Sequence, residues 1–119
     1  MQDYKKLKVW EKSNLLTIKI YKITTSFPKH ELYGITSQIR RASLSVPTNI
    51  AEGCGRDSKA EFCRFLQIAA GSASEAEYLI DISYQLKYLQ EDTYNDLISD
   101  ITEIKKMLRS FIKKLNTKN

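Results

Sequence analysis

Glycine and proline are scarce, with 4 Gly and 2 Pro in 119 residues. An all-β fold needs a turn about every 8–12 residues, and this chain lacks the turn formers to make them. Cysteine is nearly absent too. Cys54 and Cys63 stand nine positions apart with no CxxC and no neighbouring His, which leaves no tetrahedral zinc site, since that wants four ligands. The expectation is one buried small side chain, Cys63, and one loop thiol, Cys54, in a reducing compartment. His30 is the single histidine. Sites built on two imidazoles are therefore excluded, and His-dependent hydrolase chemistry has little to work with. Beside Pro28, His30 reads as a solvated loop residue. No metal or cofactor is expected. Apolar runs are short and 28% of residues are charged, so no membrane span is predicted. The opening Met-Gln-Asp-Tyr-Lys-Lys carries an acid and no apolar stretch behind it, which predicts no secretory signal and a cytoplasmic protein.

What is present suits one helical domain over residues 1–119. The hydrophobic share of 42% is enough for a packed core. Net charge is +5 and the pI near 9.2, but the distribution says more. Residues 1–30 and 103–119 each carry a net +5, while residues 31–102 carry −5. Two basic ends around an acidic middle suggest a polyanion partner, or oppositely charged surfaces that meet between copies.

Helical periodicity predicts four helices, at about 8–26, 34–52, 58–89 and 93–116. Val9, Leu16, Ile20, Ile23 and Phe27 define the apolar face of the first, which Phe27-Pro28 closes. Ile35, Ile39, Ala42, Val46 and Ile50 do so for the second. Gly53 reads as the residue just past its end. Pro47 lies inside it, removes the bond to the Ser43 carbonyl, and predicts a kink. Ser58 and Glu61 form a capping box for the third helix, in which Gly71 reads as a site of tight packing. Leu97, Ile101, Ile104, Leu108, Phe111 and Leu115 line the fourth. Short breaks between such helices give an all-α, antiparallel up-down-up-down four-helix bundle.

Three faces exceed what a core requires. Trp10, Ile18 and Tyr21 fall on a second arc of the first helix, away from its core face, which predicts self-association. Lys5, Lys8, Lys12, Lys19 and Lys22 make a third arc. With Lys106, Arg109 and Lys113 on the fourth helix, they are the candidate nucleic-acid-binding residues, through phosphate contacts blind to sequence. Along the second helix Gln38, Arg41, Ser45, Asn49 and Glu52 form a polar row that runs on to Arg56. Gly53-Cys54-Gly55 is too short for a phosphate loop and does not follow a strand.

The run Gln38-Ile-Arg-Arg-Ala-Ser-Leu-Ser-Val-Pro-Thr-Asn-Ile-Ala-Glu-Gly53, with Gly55, Arg56 and Ser58, resembles the four-helix-bundle proteins encoded in intervening sequences of bacterial 23S ribosomal RNA genes. Within it Arg40, Arg41, Ser45, Pro47, Asn49, Glu52 and Gly53 carry the likeness. So do Leu7-Lys-Val-Trp10, Phe27-Pro28 with Glu31, and Phe65-Leu66 with Ala69, Gly71, Ser72 and Glu75. That family is related to the accessory variability proteins of diversity-generating retroelements. The resemblance implies a bacterial, cytoplasmic homo-oligomer, a homopentamer by analogy, with basic surface for RNA or DNA and a reverse transcriptase as one possible partner. It implies no enzymatic activity.

Three function classes stay open on the residues themselves. The first is a non-catalytic oligomeric scaffold that binds RNA or DNA. The second is a protein-only adaptor, whose basic faces meet acidic groups of a neighbour. The third is a metal-free enzyme using Arg41 and Glu52 in a helical cavity.

Overall fold

Four helices account for most of the chain in the computed structural model, which describes residues 2–117: α1 (Lys8–Ile23), α2 (Ile35–Cys54), α3 (Lys59–Gln85) and α4 (Glu91–Asn116). Their ends follow from local chemistry. Past Ile23 a 3₁₀ turn, Thr24–Ser26, satisfies the last carbonyls of α1 with its own hydroxyls: Thr24 donates to Ile20, Thr25 to Lys22 and Ser26 to Ile23. Phe27, before Pro28, is extended. At the start of α2 the flanking Gly34 has no side chain to cap with, and Glu31 supplies the acceptor for the Ile35 N–H at 3.2 Å. The Tyr88 hydroxyl bonds the other oxygen of Glu31 at 2.8 Å. Tyr88 first and the Ile35 amide second hold this carboxyl below the usual carboxylate range. Ser58 caps α3 by accepting the Glu61 N–H at 3.0 Å.

Contacts between elements fix the topology. Thr17 of α1 and Thr24 just past its end meet Ser43 and Arg40 of α2 in reversed order. Arg41 and Ser45 meet Glu75 and Ser72, again reversed. Glu77 and Asp81 meet Lys105 and Tyr94, and Lys12 and Lys19 meet Glu103 and Asp96. Every sequential pair is antiparallel and α4 closes against α1, so the chain is the up-down-up-down bundle its periodicity predicts. One core fills it, with Leu16, Ile20, Ile39, Ile50, Leu66, Ile80, Leu97, Ile101, Ile104 and Leu108 at its centre. Ala69, Ala73 and Ala76 let α3 sit close to its neighbours.

Four local expectations need correction. The third helix stops at Gln85, not at residue 89. Its C-terminus is a Schellman motif, with Tyr88 N–H on the Ser83 carbonyl and Lys87 N–H on that of Tyr84. Lys87 holds the left-handed position at φ 67° where glycine is usual, and Leu89 reaches the core from the turn. The fourth helix begins at Glu91, with Glu91 and Asp92 at its positive end. Cys54 is the last residue of α2 and buried, not a loop thiol; burial pushes its pKa up. Gly53 is helical, and Gly55 is the residue at the helix end.

Pro47 is buried, and the helical run passes through it without a break. The carbonyl it leaves without a helical donor, that of Ser43, accepts the Thr17 hydroxyl at 2.9 Å. Thr17 also faces the Ser13 carbonyl at 2.9 Å, but the Ser13 carbonyl is already placed to accept the Thr17 amide within α1. Ser43 therefore has the greater need. Thr17→Val is expected to cost about 1–3 kcal/mol by orphaning a buried carbonyl. Pro47→Ala returns an amide to Ser43, so urea unfolding of the double variant should reveal a favourable coupling of about 1 kcal/mol. Strict additivity would mean that the Thr17–Ser43 bond carries no weight.

Candidate nucleic-acid interface

The lysine stripe of α1 is divided by its pairing with α4. Lys12 Nζ lies 3.1 Å from Glu103 Oε1 and 3.6 Å from Asp100 Oδ1. Lys19 Nζ lies 2.7 Å from Asp100 Oδ2 and 2.8 Å from Asp96 Oδ2. Donating to Glu103 raises the Lys12 pKa above the ordinary lysine value, and donating to Asp100 and then Asp96 raises that of Lys19. Both charges are answered inside the chain. Lys12 and Lys19 thus clasp α1 to α4, a role their placement on a one-signed arc does not suggest. By contrast Lys5, Lys8, Lys22, Lys106, Arg109 and Lys113 are exposed and have no carboxylate within 4.0 Å among the described residues.

Three unpaired cations, Lys8, Lys106 and Lys114, gather where α1 begins and α4 finishes. Antiparallel packing brings Leu7, Lys8 and Val9 against Met107, Ser110, Phe111 and Lys114, around a groove of about 470 Å³. Lys106 and Glu103 complete its rim. Sequence reasoning misses Lys114, although a signal for it exists: 106, 110 and 114 recur every four residues beside the core stripe. Arg109 turns toward α3, where it lines a smaller hollow with Ala70, Ser74, Lys105 and Ile112. Lys22 stands far from this end, in a groove with Leu15, Ile18 and the paired Lys12, Lys19 and Asp100.

The polar row of α2 is a seam to α3. Arg41 Nη2 bonds Glu75 Oε2 at 2.8 Å, and the Ser45 and Ser72 hydroxyls meet at 2.9 Å. Asn49 Nδ2 donates to the Ser45 carbonyl at 2.8 Å. Glu52 pairs with Arg56 at 2.8 Å, and the Arg56 and Arg64 guanidiniums each lie 4.7 Å from the Phe65 ring centre, covering it. Arg41 and Glu52 are consequently occupied by different partners. Eleven residues of helix, about 16 Å, separate the two. Arg40 faces α1 instead. Its Nε donates to Thr24 Oγ1 at 2.8 Å and its guanidinium lies 5.0 Å from the Tyr21 ring centre. No three His, Cys, Asp or Glu among the described residues form a metal-sized cluster, and no described helix is long and apolar enough to cross a membrane.

The predicted association stripe splits in the same way as the lysines. Trp10 is half-buried, edge-on to Tyr4 with ring centres 4.8 Å apart, and packs on the core. Ile18 and Tyr21 remain 45% and 39% exposed, and Leu44 on the adjoining α2 is 46% exposed.

The chain is a single antiparallel bundle with a polar α2–α3 seam and a cluster of unpaired cations at one end of the α1–α4 pair. The chain belongs to the family of 23S rRNA-intervening sequence proteins, whose family model matches residues 5–110. Among solved structures it is similar to a Bacteroides thetaiotaomicron protein of unknown function from the S23 ribosomal protein family. The two are 31% identical with a TM-score of 0.80, over 88% of this chain and 98% of that one. No curated protein matches it.

Proposed function

We propose that this protein is a non-catalytic homo-oligomeric scaffold that binds RNA or DNA through its phosphates, without strong base preference. The observation that carries this reading is the sorting of the cations. Lys12 and Lys19 are paired with the acidic half of α4, while Lys8, Lys106 and Lys114 stay free around one groove, with Arg109 and Lys113 nearby on α4. Phosphate binding releases counterions, so log affinity should fall linearly with log salt, by about 0.7 per phosphate for single strands and 0.9 for B-form DNA. Fluorescence anisotropy with labelled RNA and DNA at low salt is expected to give micromolar or tighter binding. Absence of binding at about 50 mM salt would leave the protein-only adaptor as the better account.

Ile18, Tyr21 and Leu44, exposed apolar side chains on the adjoining α1 and α2, support assembly. A five-fold ring, which the sequence resemblance implies, would repeat each cation cluster and add weak contacts through multivalency. Light scattering should give a mass several times 13.8 kDa. Ile18→Glu should lower it, since a charge in a buried patch core goes unpaired. Tyr21→Ala should lower it less, because Tyr21 also carries the Arg40 stack. A monomeric wild type at micromolar concentration would refute self-association.

A further inference from the structure

The α1–α4 groove differs from an ordinary basic patch in having an apolar, partly aromatic floor. Leu7, Met107 and Phe111 are each only partly buried, while Lys8, Lys106 and Lys114 stand exposed at the edges. Its single acid, Glu103, is bound to Lys12 at 3.1 Å and so does not oppose the rim charge. Phe111 is held edge-on by Phe62, interplanar angle 88° and ring centres 5.4 Å apart. The ring that reaches the groove is therefore fixed in orientation. The groove of Leu15 and Ile18 on the same helix pair offers no such site: it has no aromatic ring, and two of its three lysines are paired.

Duplex phosphates need only the rim. A floor of Phe111 and Met107 would lie unused beneath a duplex, because paired bases present their faces to each other. An unpaired base has a free π-face and a phosphate on either side, which matches a floor of this kind between lysines. We infer that this groove seats an unpaired base of a single-stranded nucleic acid, stacked at Phe111 and Met107 with its flanking phosphates on Lys8, Lys106 and Lys114. This inference rests on the nucleic-acid reading above and narrows it to single strands and to one site.

The test compares three fluorescein-labelled probes of equal length: an oligothymidylate strand, an abasic strand and a DNA duplex. The expected result is that oligothymidylate binds about five-fold or more tightly than the abasic strand, as base–aromatic stacking confers. Phe111→Leu keeps an apolar side chain against Phe62 but removes the ring. It should remove most of that margin while leaving abasic-strand affinity unchanged. Lys106→Gln with Lys114→Gln should weaken all three probes. A strand carrying 4-thiothymidine should photocrosslink within residues 107–114, a readout that does not depend on any variant folding. Equal affinity for all three probes, or crosslinks mapping elsewhere, would overturn the groove assignment while phosphate binding stands. If no probe binds while an acidic amphipathic peptide does, in a way Phe111→Leu weakens, the groove belongs to a protein partner and both readings fall.

Discussion

Alanine at two glycines is expected to move stability in opposite directions. Gly53 lies in the last turn of α2, against Phe62 and Phe65 of α3. A Cβ there would stand 2.9 Å from Phe65 Cβ, 3.0 Å from Phe62 Cδ1 and 3.4 Å from the Phe62 carbonyl oxygen. None of these is the free end of a flexible chain, so backbone must shift. Overpacking of this kind costs about 1–3 kcal/mol, against a helix-propensity gain of about 1 kcal/mol. At the upper end, Gly53→Ala loses about 2 kcal/mol. Gly71, in the middle of α3, is exposed, and a Cβ there would meet nothing within 4 Å. Gly71→Ala should therefore gain about 1 kcal/mol by propensity alone. At about 4 °C per kcal/mol the two melting temperatures should differ by about 12 °C. If instead Gly71→Ala lowers the mass of the oligomer, the close approach that Gly71 permits is made by a second copy. Melting and light scattering of the same samples separate the two cases.

Those glycines also mark where the sequence is legible and where it is not. The apolar spacings at 3 and 4 residues locate all four helices, because a bundle buries one stripe per helix and little else decides its fold. Ser58 is legible as a cap for the same local reason. Gly53 and Gly71 read the wrong way round from sequence: one as a helix end, the other as a packing site. Residue type reports that a Cβ is missing, not which neighbour would have met it. The end of α3 is hidden because Lys87, not glycine, takes the left-handed position. The candidate site meets the same limit. A wheel places Lys12 and Lys19 on an arc with Lys5, Lys8 and Lys22, but only the antiparallel register of α4 brings Asp96, Asp100 and Glu103 across from two of them. Likewise Arg41 and Glu52 share a helix face, yet each is taken by a nearer partner.

That division among the lysines predicts two different outcomes from the same kind of substitution. Lys106, Arg109 and Lys113 are exposed on α4 without carboxylate partners among the described residues, so replacing all three by Gln removes charges that only a polyanion would meet. For each phosphate left without its cation, the log–log salt slope should flatten by about one. Two or three such phosphates then weaken low-salt affinity on the order of a hundred-fold. The fold should hold, because none of the three is buried. Lys12→Gln with Lys19→Gln removes charges already bound to Asp96, Asp100 and Glu103. Each of these part-exposed pairs contributes about 0.2–1 kcal/mol, so this variant should melt a few degrees lower. Its salt slope should stay near that of wild type, because every counterion-releasing cation is still in place. Lysines raised in pKa by carboxylates stabilise the fold below their ordinary value of 10.5 and lose that contribution as pH rises through the raised value. Above about pH 10.5 the melting gap between wild type and Lys12→Gln with Lys19→Gln should accordingly narrow. Should the Lys12 and Lys19 variant flatten the salt slope as much as the α4 variant does, the pairing with α4 opens on binding and the whole α1 stripe faces the nucleic acid.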